Sequence, residues 1–380
     1  MKSRLHFVSL LLVATFANAQ ETPTITIRKG DAVSIAVAPI GGAGGGAVTP
    51  VLKNDLAVAG WFNLVDSGAA SYVVSGTASG SGLEGKVVDR SGGTVLSKSY
   101  SGSARQVAHE FADDIVETLT GNPGIATSKI AFVSTRTGRK EIYVADYDGA
   151  NVKQLTNDGV ISVAPAISPD ATKLAYTGYQ SGYADIYLIN LANGARNRIV
   201  KFPGTNSGAA FSPDGGRIAC SISKDGNPEL YVVGVNGGGA RRLTRTRGVE
   251  SSPSWSPDGS EIVYSSDEGG SPKLYRIPSG GGSPRAINTG YSYCTEPSWS
   301  PDGRKIAFTV RQGGFSIAVM DLNGGSPRIL ASGENPEWGA DSRHIIYSTG
   351  SSLVLLDVQN GKSTPVITGM GKVTEPSWSR

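Results

Sequence analysis

The sequence predicts an all-β six-bladed propeller preceded by a small α/β domain. A short phrase, fullest as Pro-Ser-Trp-Ser-Pro-Asp-Gly, returns six times in the last two-thirds of the chain. A repeat of about 40 residues is a supersecondary unit that buries its apolar face only against its neighbours. Four short strand signals fall in every period, which is the content of one propeller blade. The central apolar residues lie 44, 44, 44, 39 and 40 residues apart and are Ile167, Phe211, Trp255, Trp299, Trp338 and Trp378.

Every period has the same order of signals. A Ser-Pro-Asp-Gly turn, as at residues 256–259, is followed by a β-rich run such as residues 261–264. Proline is preset for the second position of a type I turn, and glycine fits its end. A glycine-containing loop leads to a second run, such as residues 229–232, and a glycine-rich turn precedes a short third run. These are hairpin signals, and no helix-length periodic stretch interrupts them.

The repeat region, which we assign to residues 126–380, begins and ends in the middle of a blade. It opens at Lys129 with a second strand that lacks its phrase, and residues 376–380 supply that phrase alone. We therefore predict that the C-terminal strand completes the first blade, with Trp378 against the strand at Ile130–Val133. A ring closed in this way has only short, protected edges.

The first residues have the pattern of a secretory signal peptide, which we assign to residues 1–19. Lys2 and Arg4 precede an apolar run from Phe7 to Ala17 and a small-x-small cleavage site at residues 17–19. The run is too short to span a bilayer, and we predict no direct membrane insertion. Without Lys2 and Arg4 the formal charge falls from +3 to +1. A near-neutral chain gives no electrostatic basis for binding nucleic acid.

Residues 20–125 have the signals of an α/β domain. Helix 104–119 is predicted because Val107, Phe111, Ile115 and Leu119 recur four apart on one face. A Gly-Asn-Pro-Gly stretch at 121–124 ends it and forms the linker. The other predicted helix is 48–59, and the predicted strands are 33–39, 62–66, 71–76, 83–88 and 94–100.

A glycine-rich loop in this domain resembles a dinucleotide-binding fingerprint. Residues 42–47 match G-x-G-x-x-A after a strand, and Asp66 follows where a ribose-binding acid would lie. The domain is too small for two mononucleotide-binding halves, and Pro50 falls within the first turns of the helix. We interpret the stretch as a flexible loop and predict no cofactor.

The residues give no catalytic or metal site. Only His109 and His344 remain after cleavage, and neither has a second histidine at metal-ligand spacing. We place His109 and Glu110 on the polar, solvated side of their helix. The Ser-Pro-Asp-Gly aspartates recur at one turn position, so we interpret them as structural. No G-x-S-x-G nucleophile elbow, the mark of hydrolases that carry propeller lids, occurs in the chain.

The two cysteines are expected to be unpaired. Cys220 is placed on the second strand of the third blade and Cys294 in the loop entering the fifth. These blades are not neighbours, and a disulfide requires close Cα atoms.

The order of these parts resembles the TolB family of the Tol-Pal cell-envelope system. The resemblance rests on the signal peptide, on the phrases at Val33–Pro39 and Phe62–Asp66 around a helix ending at Gly60, and on the repeats closed by a terminal Pro-Ser-Trp-Ser. It covers the whole mature chain. One departure is the short segment between Asp66 and Ser71, where the family has another helix.

The resemblance implies a monomeric, non-enzymatic adaptor in the periplasm. In this family the N-terminal segment engages TolA of the inner membrane, and one propeller mouth binds Pal, the peptidoglycan-associated lipoprotein of the outer membrane. This coupling supports outer-membrane integrity and invagination during cell division. The alternative is a secreted ligand-binding or hydrolase-associated propeller. The sequence favours the adaptor because it contains no catalytic motif.

Two sets of residues are predicted to bind these partners. Residues 20–30 alternate polar and β-branched side chains, and Thr24, Ile25 and Ile27 could add as a strand to TolA, dock on their own domain or form a plain tail. For Pal we expect the loops entering the innermost strands, since loops on a rigid scaffold carry recognition. The residues of this second set are Val163, Thr205, Asn206, Ser207, Ser251, Tyr291, Tyr293, Glu296, Glu334 and Glu375.

Three members of the second set match the family's partner-binding positions, and two others add aromatic area. Thr205, Asn206 and Ser251 are the matched positions, with threonine at 205 where the family has a larger polar residue. Tyr291 and Tyr293 suit binding hot spots because aromatic side chains bury large areas at low entropic cost.

Overall fold

The computed structural model describes residues 32–379 and contains a small α/β domain packed on a six-bladed propeller. The predicted signal peptide, the segment 20–30 with Thr24, Ile25 and Ile27, and Arg380 lie outside the described residues. The fold class predicted from the repeats is confirmed.

The α/β domain has five strands and two helices. The sheet order is β2-β1-β3-β4-β5, with β1 parallel to β2 and β3 and the remaining pairs antiparallel. Its elements are β1 (Val33–Val37), α1 (Gly45–Val58), β2 (Phe62–Leu64), β3 (Tyr72–Ala78), β4 (Gly82–Asp89), β5 (Thr94–Ser101) and α2 (Ala104–Thr120).

Helix α2 has the ends and the buried face that its sequence predicts. Ser103 caps it by accepting a hydrogen bond from Gln106 N, and Gly121 ends it with φ 70°. The apolar residues four apart, among them Phe111 and Ile115, are fully buried. The placement of His109 on a solvated face was wrong: its side chain is buried, and Nδ1 lies 2.7 Å from Asp55 Oδ2 on α1. A partner from another helix makes burial of this polar ring possible.

The glycine loop before α1 packs against the end of β3. An added Cβ on Gly42 would lie 2.4 Å from Ala78 O, and one on Gly44 would lie 2.3 Å from Ser79 O. Gly42 also has φ 78°, a conformation that favours glycine. Close backbone packing therefore accounts for two of the glycines in the fingerprint-like stretch.

The propeller consists of six four-stranded antiparallel sheets. We number the blades from the sheet that contains the N-terminal repeat residues. Listed from the innermost strand outward, they are blade 1: β29 (Val373–Trp378), β6 (Lys129–Ser134), β7 (Glu141–Asp146), β8 (Lys153–Gln154); blade 2: β9 (Ser162–Ile167), β10 (Lys173–Gly178), β11 (Asp185–Asn190), β12 (Arg196–Val200); blade 3: β13 (Asn206–Phe211), β14 (Arg217–Ile222), β15 (Glu229–Gly234), β16 (Arg241–Arg242); blade 4: β17 (Glu250–Trp255), β18 (Glu261–Ser266), β19 (Lys273–Pro278), β20 (Arg285–Ala286); blade 5: β21 (Cys294–Trp299), β22 (Lys305–Arg311), β23 (Phe315–Asp321), β24 (Arg328–Ser332); and blade 6: β25 (Glu334–Trp338), β26 (His344–Ser348), β27 (Leu353–Asp357), β28 (Ser363–Ile367).

The repeated aspartates stabilise the turns between the first two strands of a blade. In blade 4 the Ser256 hydroxyl donates to Asp258 Oδ1 at 2.6 Å and accepts from Glu261 N at 2.9 Å. The hydrogen bond from Ser256, followed by those from Ser260, lowers the pKa of Asp258 to about 2. The same serine–aspartate pair recurs in blades 2, 3 and 5. The structural interpretation of these aspartates agrees with this geometry.

The C-terminal strand closes the ring as predicted. Trp378 pairs with Ile130 and Thr374 with Val133 in the antiparallel ladder of blade 1. The Trp378 indole is buried and donates to Ser128 Oγ at 2.7 Å. Its ring lies against Gly339 of blade 6, where an added Cβ would be 2.8 Å away. Trp378 therefore joins the first blade to the last.

Both cysteines are free, as expected, and both are buried. Burial raises the pKa of Cys220 to about 12, so this thiol stays protonated. The placement of Cys294 in a loop was wrong: it is the first residue of strand β21, and its sulfur lies 3.0 Å from Thr289 Oγ1.

The α/β domain packs against blades 1 and 6 through a continuous core. The apolar cluster of α1 and α2 includes Tyr147, Leu355 and Trp378 of the propeller. Asp55 accepts from Tyr147 OH at 2.7 Å across this boundary. Burial and Asp55 raise the pKa of Tyr147 well above its usual range, so the phenol remains a donor.

At blade 6 the turn sequence departs from Ser-Pro-Asp-Gly and supplies a second boundary contact. Arg343 is buried, pairs with Asp357 at 2.6 Å, and lies 4.5 Å from the centre of the Trp61 ring. Such a desolvated cation over an indole is stabilising. The irregular repeat is thus where the α/β domain docks.

Candidate functional site

The two ends of the propeller channel differ. The loops that enter the innermost strands and the loops that join the second and third strands lie at one end, which we call the mouth. The opposite end has the Ser-Pro-Asp-Gly turns and the contacts of the α/β domain. The mouth is therefore the end that the α/β domain leaves uncovered.

Each innermost strand has a bulge at the same position near the mouth. The ladder to the second strand skips a step there in all six blades. The bulged residues have a left-handed backbone conformation, with φ between 49° and 65°. Five of these six residues precede a proline. A bulge redirects its side chain out of the ladder. This bulge ring consists of Ala164, Gly208, Ser252, Glu296, Asn335 and Glu375.

Side chains of the bulge ring link successive blades. Glu296 Oε2 accepts from Asn335 N at 2.9 Å, and Asn335 Oδ1 accepts from Glu375 N at 3.4 Å. Glu375 Oε2 then accepts from Ala164 N at 2.7 Å. The links run through blades 5, 6, 1 and 2. In blades 2, 3 and 4 the ring has the small residues Ala164, Gly208 and Ser252. One side of the channel wall is therefore polar and acidic, and the other side has only small side chains.

The acidic side of the ring is electrostatically strained. Burial, with the nearby carboxylates of Glu334 and Glu375, raises the pKa of Glu296, while Thr309 Oγ1 donates to it at 2.7 Å. Lys140 Nζ lies 3.6 Å from Glu375 Oε1. A cationic or hydrogen-bond-donating group of a partner would relieve this repulsion. Within residues 32–379 no three side chains are grouped to hold a metal ion.

The predicted Pal-binding residues lie around the mouth, but most are not in loops. Thr205, Tyr291 and Tyr293 are loop residues. The expectation that the others lie in the entering loops was wrong, because each innermost strand begins earlier than its sequence signal suggests. The residues found on innermost strands are Val163, Asn206, Ser207, Ser251, Glu296, Glu334 and Glu375.

These residues differ in how much they offer to a partner. Thr205 is exposed, and its N–H donates to Ser223 Oγ at 2.7 Å. Tyr293 is half-buried, with its ring 6.2 Å from that of Phe315. Asn206 has no exposed surface, and its amide donates to Phe202 O and Asp185 Oδ1. Asn206 therefore holds the Thr205 loop in place.

The remaining predicted residues are half-buried. Ser251 Oγ lies 2.9 Å from Ser265 Oγ on the next strand, and Lys273 Nζ donates to Tyr291 O. Val163 packs on the core between blades 1 and 2. Ser207 is partly exposed on β13, and Glu334 on β25.

Sequence reasoning missed two groups at the mouth. Asn335 completes the polar side of the bulge ring, and its position before a proline, like that of Glu296 and Glu375, was the available signal. The second group is a set of exposed apolar side chains whose only signal was their place in turn sequences. These are Ile161, Tyr179, Tyr183, Val249 and Phe315.

A six-bladed propeller with an open mouth and a small α/β domain on its opposite end defines a class of two-domain propeller proteins. A family model described as the TolB beta propeller domain matches residues 116–380. The chain belongs to this family. In the described part of the chain, no helix is both long and apolar enough to cross a membrane.

Individual relatives agree with the family assignment. A TolB homologue from Chlorobium chlorochromatii is 44% identical over 117 residues, covering 29% of this chain and 27% of the relative. A Tol-Pal system protein TolB from Geobacter metallireducens is 51% identical over 81 residues, covering 20% of this chain and 19% of the relative. These matches therefore span less than a third of each relative's length.

One solved structure is similar over both domains. The crystal structure of TolB from Acinetobacter baumannii superposes with a TM-score of 0.82 at 28% sequence identity. The superposition covers 92% of this chain and 97% of that one.

Proposed function

We propose that this chain is a non-enzymatic periplasmic adaptor of the Tol-Pal system. In this proposal it links TolA of the inner membrane to the lipoprotein Pal of the outer membrane and supports outer-membrane integrity and invagination during division. The observation that carries the proposal is the similarity to a TolB structure through both the propeller and the α/β domain. An adaptor needs two separate binding regions, and the two-domain arrangement supports this.

Pal is proposed to bind at the mouth. The exposed Thr205, the half-buried Tyr293 and the five exposed apolar side chains offer the mixture of polar and aromatic surface that protein interfaces use. The acidic side of the bulge ring adds acceptors for donors on the partner.

The Pal assignment is tested by substitution at the mouth. Thr205→Asp together with Tyr293→Ala should weaken Pal binding, measured by calorimetry, by at least about 2 kcal/mol, since both change the centre of the proposed contact. The melting temperature should stay unchanged. Asn323→Ala, exposed in the β23–β24 turn at the opposite end, is the control. Equal loss of affinity in the control, or none in the double variant, would show that the mouth is the wrong face.

TolA is proposed to bind residues 20–30, with Thr24, Ile25 and Ile27 as contacts. A mature chain that starts at Lys29 should lose TolA binding in a pull-down while it still binds Pal, because the propeller is untouched. Unchanged capture of TolA would refute this assignment. A hydrolase and glycan-binding screen on the same protein separates the adaptor from a ligand-binding or hydrolase-associated propeller.

A further inference from the structure

Two neighbouring blade boundaries use the same pair of positions differently. The pair consists of the first residue of the third strand in one blade and the first residue of the innermost strand in the next. Between blades 2 and 3 these are Asp185 and Asn206, and the amide donates to the carboxylate at 3.1 Å. Between blades 3 and 4 they are Glu229 and Glu250. The second boundary thus places two acids where the first has an acid and an amide.

Both glutamates are fully buried. Glu229 Oε1 accepts from Arg242 Nη2 at 2.7 Å and from Thr246 N at 2.9 Å. Glu250 Oε1 accepts from Thr246 Oγ1 at 2.8 Å and from Ser266 Oγ at 2.7 Å.

The second oxygen of each acid, Oε2, is buried and lacks a donor at full hydrogen-bond geometry. The Thr244 hydroxyl lies beside Glu229, and the two carboxyl groups interact with one another. Two neighbouring buried carboxyl groups can hydrogen-bond to one another only if one of them carries a proton. One buried negative charge then remains to pair with Arg242, whose guanidinium also lies 3.4 Å from the partly exposed carboxylate of Asp225.

We propose that Glu229 and Glu250 share one buried proton and form a pH-sensitive contact that holds blades 3 and 4 together beside the mouth. When the proton leaves, two buried carboxylates face a single guanidinium. Their repulsion then loosens the segment between β16 and β17, which leads into Ser251. Besides the pair itself, the charged and titratable groups around it are Arg242, Tyr231 and Tyr264, with Asp225 beside Arg242 and Glu268 beside Tyr264.

The sign of the pH effect follows from the environment of Glu250. Burial, then the neighbouring Glu229, raises the pKa of Glu250 from 4.5 to about 7. The folded state therefore holds this proton more tightly than the unfolded chain does. The resulting stabilisation is complete below pH 4.5 and is lost as the pH rises through about 7. The pKa of Glu229 is lowered, so Glu229 carries the charge that Arg242 balances.

The test replaces the proton by an amide. Glu250→Gln can donate to Glu229 as Asn206 donates to Asp185, and it cannot titrate. Between pH 5.5 and pH 8.5 we expect the wild-type melting temperature to fall by about 4 °C more than that of Glu250→Gln. Glu268→Gln, an exposed acid beside the pair, should keep the wild-type slope. Equal slopes in wild type and Glu250→Gln would overturn the proposal.

A second measurement needs no variant. The infrared carbonyl band of a protonated carboxyl group, identified by its shift on ¹³C-glutamate labelling, should be present at pH 6 and disappear with a midpoint near pH 7. Absence of the band at pH 6 would refute the shared proton. Neither measurement uses a binding partner, so each outcome is independent of the proposed function.

Discussion

At the scale of single residues, Asp55 is the hydrogen-bond partner of two buried polar groups, one in each domain. Its carboxylate is buried between the α/β domain and the propeller, and it contacts His109 Nδ1 and Tyr147 OH at 2.7 Å each. A buried donor that loses its acceptor retains the full cost of desolvation. One aspartate therefore keeps two buried polar groups compatible with an apolar boundary.

We expect Asp55→Ala to lower the free energy of unfolding by about 3 kcal/mol, because it leaves two buried groups without a partner. Urea denaturation measures the change. Asp66→Ala, an exposed acid of the same domain, should stay within about 0.5 kcal/mol of wild type. The role of Asp55 would be contradicted if the two variants lost equal stability.

Residue-scale prediction from the sequence succeeded where a position repeats and failed where a contact is unique. The aspartate of Ser-Pro-Asp-Gly recurs in a fixed local setting, so its structural role could be inferred. His109 is a polar residue next to Glu110, and nothing local indicates that Asp55, 54 positions away, turns inward to meet it. For the same reason, nothing local in the sequence indicated that Glu229 and Glu250 face one another, because their approach depends on how two blades pack.

At the scale of elements, strand β29 is held by contacts to three blades. Besides its ladder to β6, Ser377 Oγ accepts from Ile167 N of blade 2 at 3.0 Å, and Trp378 lies against Gly339 of blade 6. Lys129 N donates to Ser379 Oγ at 2.8 Å. Removing this strand would expose an edge and the core behind it.

Deleting residues 375–380 should destabilise the protein by several kcal/mol, because a buried indole and half a strand ladder are lost. Differential scanning fluorimetry measures the effect. Asn323→Ala should leave the melting temperature unchanged. A truncated chain that melted within about two degrees of wild type would contradict closure by β29.

The element bounds were predictable to within a few residues, whereas the bulges were not. Periodicity and turn signals indicated every blade and helix α2. The bulge ring arises because one extra residue in each innermost strand takes a left-handed conformation, and Glu296 and Glu375 show no local signal for this beyond the proline that follows. The sequence therefore indicated a polar mouth but not the chain of links within it.

At the scale of the whole molecule, the two domains share one core. The apolar cluster runs from Val48 and Phe111 through Tyr147 and Leu355 to Trp378. The ion pairs of Arg105 with Asp146 and Asp148 lie at its edge. Domains with little shared surface unfold separately, while a continuous core favours one transition.

We therefore expect a single calorimetric unfolding transition for the wild-type protein. Trp61→Ala combined with Arg105→Ala, which removes the indole under Arg343 and the edge ion pairs, should separate an earlier melting of the α/β domain from that of the propeller. Asp66→Ala serves as the control that keeps one transition. Two separate transitions in the wild type would contradict a shared core.

Because strand β29 closes the ring, blade 1 can be completed only after the other blades have been synthesised. Ribosomes deliver residues 129–154 long before residues 373–378, so blade 1 holds three strands until the strands of the other five blades have been made. A product cut short by a nonsense codon or by a protease has an unpaired edge at β6 and lacks the indole that joins blades 1 and 6. Such an edge attracts proteases and other unpaired strands. A chain that lacks strand β29 therefore keeps both the unpaired edge of β6 and the gap between blades 1 and 6.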